Sequence, residues 1–503
     1  MLRKNKRYFP TKLALLVSVL IIASTVYALL FFILESRIFA VKALVFVLKI
    51  IFALFIMSSE IYAEAKCSWV FFTLLLPHVA IPAYIIFCRG KLTKKETAVL
   101  DLISERKPKI EPFDRKMCLK CNDNFAFLRE MSNFSDAELY INTSAKYISD
   151  AKKMIDMLTF DIMKSKRFIF LEFYTIAAGE VFGNICDLLI EKAKSGVEVK
   201  IIYDEIGSLT RLPEEFPSLM REHGIAAVAN ASLLGSFQGG LNNRNHRKIA
   251  VIDGEVAYTG GINLADEYIH ANASLGKWKD SAVRIEGEGV DALTYTFLSD
   301  FSIVSEIEND FSKYYKYRKK RCKGAALIFS DGPSPFYKEK SGEKIILSML
   351  ACAEKSFYVT TPYLVCNREV LSAMRGAVRR GVKLSIAIPA KADRFLCGIL
   401  TQHYAARLSE IGADIHVYTP GFLHSKTYCC DGKYLMCGTV NLDYRSLCHN
   451  FENGILFAEH DVISEAMRDV EEIFSVSEPY AKRKEHPFLR IVGAVMEIFA
   501  PLF

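Results

Sequence analysis

The sequence predicts an α/β protein of two similar lobes, each a mixed sheet flanked by helices, preceded by N-terminal transmembrane helices. Three observations carry that prediction. Strands alternate with helices of the length that joins parallel strands. The alternation is written twice in the same order, and the N-terminal part holds three long apolar runs.

Leu13–Leu34 is 22 residues without a charge, long enough to span a bilayer. Ala43–Met57 is apolar apart from Lys49, and Ser68–Phe87 is a third uncharged run, interrupted by Pro77, His78 and Pro82. A cleaved leader fits the first run poorly, because no small-residue cleavage site follows it. Arg3, Lys4, Lys6, Arg7 and Lys12 precede the first run, and Arg89, Lys91, Lys94 and Lys95 follow the third. Both clusters favour the cytoplasm, which demands an even number of crossings. One of the three runs is therefore expected to lie in the interface, either the first or the one bearing Lys49. Residues 1–95 are read as a multi-pass anchor in the cell membrane, with the rest of the chain cytoplasmic.

Hydrophobic residues make up 51% of the chain, and its net charge of +7 suits anionic lipid headgroups as well as nucleic acid. The 13 cysteines are odd in number and scattered through apolar segments, which points to reduced thiols rather than a disulfide framework. Cys118 and Cys121 form a lone CxxC, and a zinc site needs a second pair. No metal or other cofactor is expected.

Residues 96–155 are charged and irregular, and are read as a linker with some helix. The first lobe, 156–330, opens with a strand at 167–173 ("RFIFLEF"), a helix at 180–194 ended by Ser195 and Gly196, and a strand at 197–204. The second lobe, 331–503, repeats this with a strand at 356–364, a helix near 368–380, Gly381 and a strand at 382–389. Two related lobes usually meet across a pseudo-two-fold axis, so a repeated motif can build one shared site. The C-terminal stretch 490–503 is apolar but short, and is expected to dock as a helix rather than to anchor.

Each lobe carries one copy of a motif: "NHRKIAVIDGEVAYTGGIN" at 245–263 and "LHSKTYCCDGKYLMCGTVN" at 423–441. His, Lys, Asp, Gly, Gly and Asn recur at identical offsets, which makes coincidence negligible. Strand alternation puts His246, Lys248, Ala250 and Ile252 on one face and Arg247, Ile249 and Val251 on the other. Asp253-Gly254 and Asp431-Gly432 are hairpin turn signals, so the two acids, though counted with the catalytic set, are read first as braces of the turn. Glycine at the end of the second strand is expected to let the backbone approach a ligand.

The chemistry follows from what is supplied twice. Lys248, Lys426, Asn263 and Asn441 form a cradle of donors for one tetrahedral phosphate. Two imidazoles on opposite sides of that phosphate can divide the labour, one attacking phosphorus while neutral and the other giving a proton to the leaving oxygen. The lysines supply the positive charge that a metal would otherwise bring.

With these residues the sequence resembles the phospholipase D superfamily over roughly 156–485, and within it bacterial cardiolipin synthases. "YDEIGS" (203–208), "NLDYRS" (441–446) and the terminal "FAPLF" add to the likeness, while the extra first apolar run departs from the usual two-segment anchor. The resemblance implies that His246 is the nucleophile and His424 the general acid and base. It also implies that acids downstream of each motif orient the other lobe's histidine: Asp280 with His424, and Glu452 with His246. A carboxylate partner is expected to raise each histidine's pKa, giving a bell-shaped pH dependence. Tyr174 and Tyr363 are either pocket or core residues, Arg445 is a candidate to reach a second anionic headgroup, Asp204 and Asp393 are read as structural, and Trp278 as packing.

The implied reaction is phosphatidyl transfer between two phosphatidylglycerols through a phosphohistidine, giving cardiolipin and glycerol. The implied partners are phosphatidylglycerol and other anionic phospholipids in the membrane, with no nucleic acid and an oligomer left open. Hydrolysis to phosphatidic acid by a membrane-bound phospholipase D is the alternative. A nuclease is disfavoured by the anchor and the lack of a basic, aromatic-studded groove. A non-catalytic lipid scaffold is disfavoured by two intact motifs.

Overall fold

The computed structural model describes residues 39–59, 61–88, 94–108, 123–135, 137–230, 242–269, 275–305, 310–334, 336–480 and 487–502, with isolated positions before residue 39. It is a mixed α/β protein with two principal sheets. The first runs, edge to edge, through Thr143–Ile148, Ala282–Gly287, Val256–Gly260, Lys248–Ile252, Phe168–Phe173, Glu198–Asp204 and Ala226–Asn230. Phe168–Phe173 is parallel to Glu198–Asp204 through the helix Glu180–Lys194, and antiparallel to the motif strand Lys248–Ile252. In the second sheet Ser356–Thr360 is likewise parallel to Lys383–Pro389 and antiparallel to the motif strand Thr427–Cys430. One topology therefore presents both motifs at the same end of their sheets.

The alternation read from the motif decides which core each side chain joins. Ala250 and Ile252 face the outer helices of the first lobe, among Leu158, Phe182 and Leu189. Ile249 and Val251 face the other way, into a core shared with Cys437, Ile455 and Phe457 of the second lobe. Helices Gly289–Ser305 and Val462–Ser475 complete this inner layer. The lobes are thus fused through a continuous apolar core.

The expected linker ends earlier than residue 155. Glu138–Tyr140 pairs with Ala326–Ile328 of the second sheet, and Thr143–Ile148 pairs with Ala282–Gly287 of the first. Both are edge strands with partly exposed faces, so their sequences lack the apolar runs of central strands. The helix Ala151–Lys164, capped by Asp150 accepting from Lys153 N at 3.0 Å, spans the expected boundary and buries Met154, Ile155, Leu158 and Ile162. The boundary at 330/331 also moves, because Ala325–Asp331 is a strand of the second sheet. Cys118 and Cys121 lie outside the described residues.

Among the described residues one helix, Phe39–Ser58, is long and apolar enough to cross a membrane. The run 68–87 does not form one spanning helix. It divides into Ala63–Leu75 and Pro77–Phe87, because Pro77 lacks an N–H and drives the preceding Leu76 out of helical geometry (φ −134°, ψ 66°). The described residues therefore support one crossing rather than several, and the run 13–34 lies mostly outside them. Ile56, Ala65, Trp69 and Tyr84 pack the three helices together, and Leu502 from the C-terminus joins them. The C-terminal helix Pro487–Glu497 docks on Phe395–Glu410, where Glu497 meets His403 at 3.1 Å and also Arg407.

Candidate active site

Two short parallel ladders tie the lobes together, and each ends at a motif histidine. Arg244 and Asn245 pair with Asn450 and Phe451, after which His246 N donates to Phe451 O at 2.9 Å. Phe422 and Leu423 pair with Trp278 and Lys279, after which His424 N donates to Lys279 O at 2.8 Å. The next residue on each partner strand is an acid. Glu452 lies 2.9 Å from His246 Nδ1, and Asp280 lies 2.7 Å from His424 Nδ1. A carboxylate only accepts, so each Nδ1 carries the proton and each Nε2 is left with its lone pair. Both rings line one cavity of about 740 Å³.

The donors stand around them. Lys248 Nζ donates to His246 O at 2.7 Å, and Lys426 Nζ donates to the equivalent carbonyl of His424. Asn263 accepts from Thr175 N at 3.0 Å and donates to Tyr268 Oη at 2.9 Å. Asn441 lines the cavity, and its buried Oδ1 has no hydrogen-bond partner among the described residues.

The electrostatics correct one expectation. Burial pushes both imidazoles down to about 4, and the neighbouring lysines add to it. The carboxylates pull upward and are outweighed. Burial also lowers Lys248 to about 7 and Lys426 to about 8. Burial favours a protonated Glu452, yet His246 and Lys248 hold its pKa below the ordinary value. A cluster whose cations are all shifted toward neutrality is one that an entering anion stabilises.

A family profile described as "Cardiolipin synthase, PLD-like domain" matches residues 145–297 and 346–475, one stretch for each motif. The chain belongs to this family. It is 32% identical over 440 residues to "Cardiolipin synthase 1" of Staphylococcus aureus (strain COL), covering 84% of this chain and 88% of that one. It is 29% identical over 482 residues to "Major cardiolipin synthase ClsA" of Bacillus subtilis, covering 92% and 98%. It is also 30% identical to an uncharacterized protein of Streptococcus mutans, over 89% of this chain and 99% of the other. The crystal structure of a phosphatidylserine synthase from Haemophilus influenzae matches with a TM-score of 0.58 over 76% of this chain and 100% of that one; at 14% identity this likeness is one of fold. A member of the cardiolipin synthase family is an enzyme, a phosphatidyltransferase.

In this family member two motif acids stand away from the cavity. Asp253 accepts from Lys166, Arg167 and Phe168 N at 2.7–2.9 Å, and Asp431 from Glu354, Lys355 and Ser356 N at 2.8 Å. Both occupy left-handed backbone (φ 56° and 52°), with Gly254 and Gly432 following in the same region. These acids brace the hairpin against Phe168–Phe173 in one lobe and Ser356–Thr360 in the other, and counting them as catalytic is corrected. The glycine expectation changes too. A Cβ on Gly261 would strike the Asp280 carboxylate, so that glycine makes room for the acid that partners His424 rather than for a ligand.

Trp278 packs on His424, its ring 5.3 Å away, and lines the cavity. Tyr174 lies 5.2 Å from the His246 ring. Tyr363 donates to Asp393 at 2.7 Å, and Asp204 accepts from Gly207 N and Asn245 N at 2.9 Å. Several residues escaped the sequence reading. Ser446 donates to Glu452 at 2.7 Å, and Asn450 donates to it at 3.3 Å. Arg247, wholly buried, donates to Glu452 O at 3.2 Å and to Tyr337 at 2.6 Å, and it also binds Asp300. Its signal was present, since an arginine stood alone on the strand face shared with Ile249 and Val251.

Proposed function

We propose that this protein is a cardiolipin synthase working through a phosphohistidine. His246 Nε2 attacks the phosphorus of one phosphatidylglycerol; the N–P bond forms and the P–O bond to glycerol breaks. His424, protonated on entry of the anionic phosphodiester, gives its Nε2 proton to the leaving glycerol oxygen. A second phosphatidylglycerol then enters, and His424 takes the proton of its headgroup hydroxyl. That oxygen attacks phosphorus, the N–P bond breaks, and cardiolipin leaves. Lys248, Lys426, Asn263 and Asn441 hold the phosphoryl oxygens throughout, and one phosphodiester is exchanged for another without an external energy source.

The observation that carries this reading is the pair of imidazoles in one cavity, each fixed through Nδ1 by a carboxylate of the opposite lobe. A lipid substrate is supported by the cavity mouth. Phe395 and Leu396 on its rim are 78% and 42% exposed. Leu502, another lining residue, packs among the N-terminal apolar helices, so acyl chains can pass from the site toward a membrane-associated segment. The test is to place the purified protein in phosphatidylglycerol vesicles and identify products by mass spectrometry. Cardiolipin with stoichiometric glycerol is expected. Phosphatidic acid in its place would make the protein a hydrolase.

A further inference from the structure

Four arginines line the cavity: Arg211, Arg244, Arg394 and Arg445. Two are paired, Arg211 with Glu267 at 2.9 Å and Arg244 with Asp204 at 3.6 Å. Among the described residues Arg394 and Arg445 have no carboxylate within 4.0 Å. The acids that face them are engaged elsewhere: Asp393 accepts from Tyr363 Oη and Asp443 from Ser446 N, both at 2.7 Å. Arg445 instead donates to the carbonyl and side-chain oxygens of Asn242, at 2.8 and 2.9 Å, which are neutral acceptors. Burial disfavours the charge of Arg445 and nearby Arg394 and Arg244 add repulsion, against a pull from Tyr174 and Asp443, whereas Arg394, despite burial, is held charged by the fields of Tyr363, Tyr174 and Asp393. Tyr174 lies between this pair and the motif. Its phenol is in the field of both arginines, and its ring is 5.2 Å from that of His246.

The phosphodiester under attack already has two lysines and two asparagines. Two further guanidinium groups without carboxylates, one tyrosine away, exceed what a single monoanionic phosphate requires. In the transfer reaction a second phosphate must come close, because the attacking hydroxyl of phosphatidylglycerol stands only a three-carbon chain from its own phosphate. We propose that Arg394 and Arg445 bind the phosphate of the acceptor phospholipid and so direct the phosphohistidine to an anionic lipid alcohol rather than to water or free glycerol. This rests on the transfer reading above and adds to it the residues that select the anionic acceptor. Water and glycerol carry no phosphate and gain nothing from the pair.

The test compares two acceptors on the full-length protein in phosphatidylglycerol vesicles. Cardiolipin formation uses the anionic acceptor, whereas incorporation of labelled glycerol into phosphatidylglycerol uses a neutral one and needs the same phosphohistidine. In Arg394→Gln and Arg445→Gln, cardiolipin formation should fall tenfold or more beyond any fall in glycerol incorporation, through a raised KM for acceptor lipid. Arg394→Lys, which keeps the charge, should recover part of the loss. Equal loss of both reactions, or no loss of either in the folded variants, overturns the acceptor assignment while leaving the synthase intact. Wild-type protein that yields phosphatidic acid and no cardiolipin overturns the transfer reading itself, and the acceptor site with it.

Discussion

His246 and Glu452 meet because the residues just before them, Asn245 and Phe451, are register partners in a parallel ladder between the lobes. The second histidine obeys the same rule, with Leu423 opposite Lys279 placing His424 beside Asp280. Each imidazole is therefore docked by backbone onto the strand that carries the other lobe's acid. Neither lobe alone holds a histidine with its carboxylate. The site is a product of lobe fusion, and the shared apolar core keeps the ladders in register.

Glu452→Gln tests that coupling. An amide oxygen can still accept from His246 Nδ1, and Ser446 and Asn450 can still reach the group. What is lost is the negative charge that, in the proposed mechanism, stabilises His246 when it is bonded to phosphorus. Turnover of phosphatidylglycerol should fall about 10²-fold with KM little changed. Steady-state kinetics on the folded variant measure it, and a fall of less than about threefold would deprive Glu452 of this role.

The two histidines should fail differently. On the proposed mechanism His246→Ala removes the atom to which phosphorus bonds, so cardiolipin formation and glycerol exchange should both vanish. In His424→Ala the nucleophile survives but the leaving oxygen gets no proton, so turnover should drop by about 10²–10⁴-fold. A phosphatidyl adduct on His246 should then become detectable by intact-protein mass spectrometry, most clearly with a substrate whose leaving group needs no protonation. Equal and modest effects from both substitutions would rule out the divided roles.

Asp253 and Asp431 should matter for stability instead. Alanine at either position deprives three backbone N–H groups of a charged acceptor, at a cost of about 2 kcal/mol. It also places a non-glycine residue without a local hydrogen bond in left-handed backbone, for roughly 1 kcal/mol more. Thermal unfolding should move down by several degrees, while kcat per folded molecule stays close to that of the parent. A large loss of kcat without a shift in unfolding would return these acids to the chemistry.

What the sequence disclosed follows from where the signals lie. Repeated offsets and strand alternation are local, so the two motifs, their strands and the hairpin turns at Asp253 and Asp431 were legible. The pairing of Asp280 with His424 and of Glu452 with His246 rested on resemblance, because nothing local says that 278–279 lies along 422–423. Edge strands such as Thr143–Ile148 were read as linker, since one exposed face dilutes the apolar pattern. Arg394 and Arg445 lie 51 residues apart and become neighbours only around Tyr174 in the folded chain. The depressed histidine pKa values were not legible either, because they depend on a burial that no short segment reveals.

Those depressed values lead to the last prediction. With both imidazoles at about 4, both are neutral at pH 7 before substrate binds, yet the proposed transfer needs one of them protonated. The proton must therefore arrive with the anion. Binding of a phosphate analogue such as tungstate at pH 7 should take up about one proton, with the lysines near 7 and 8 free to add to it. Titration calorimetry in two buffers of different ionisation enthalpy measures that uptake. The sign for stability is fixed by the same shifts. The folded values lie below the ordinary 6.5, so the unfolded chain binds more protons between about 6.5 and 4, and stability falls as pH drops through that window. Bound tungstate, by raising the folded values, should hold the melting temperature up as the pH is lowered from 7 to 5. Binding without proton uptake, together with an unchanged acid profile, would mean that the leaving glycerol draws its proton from a group other than these histidines.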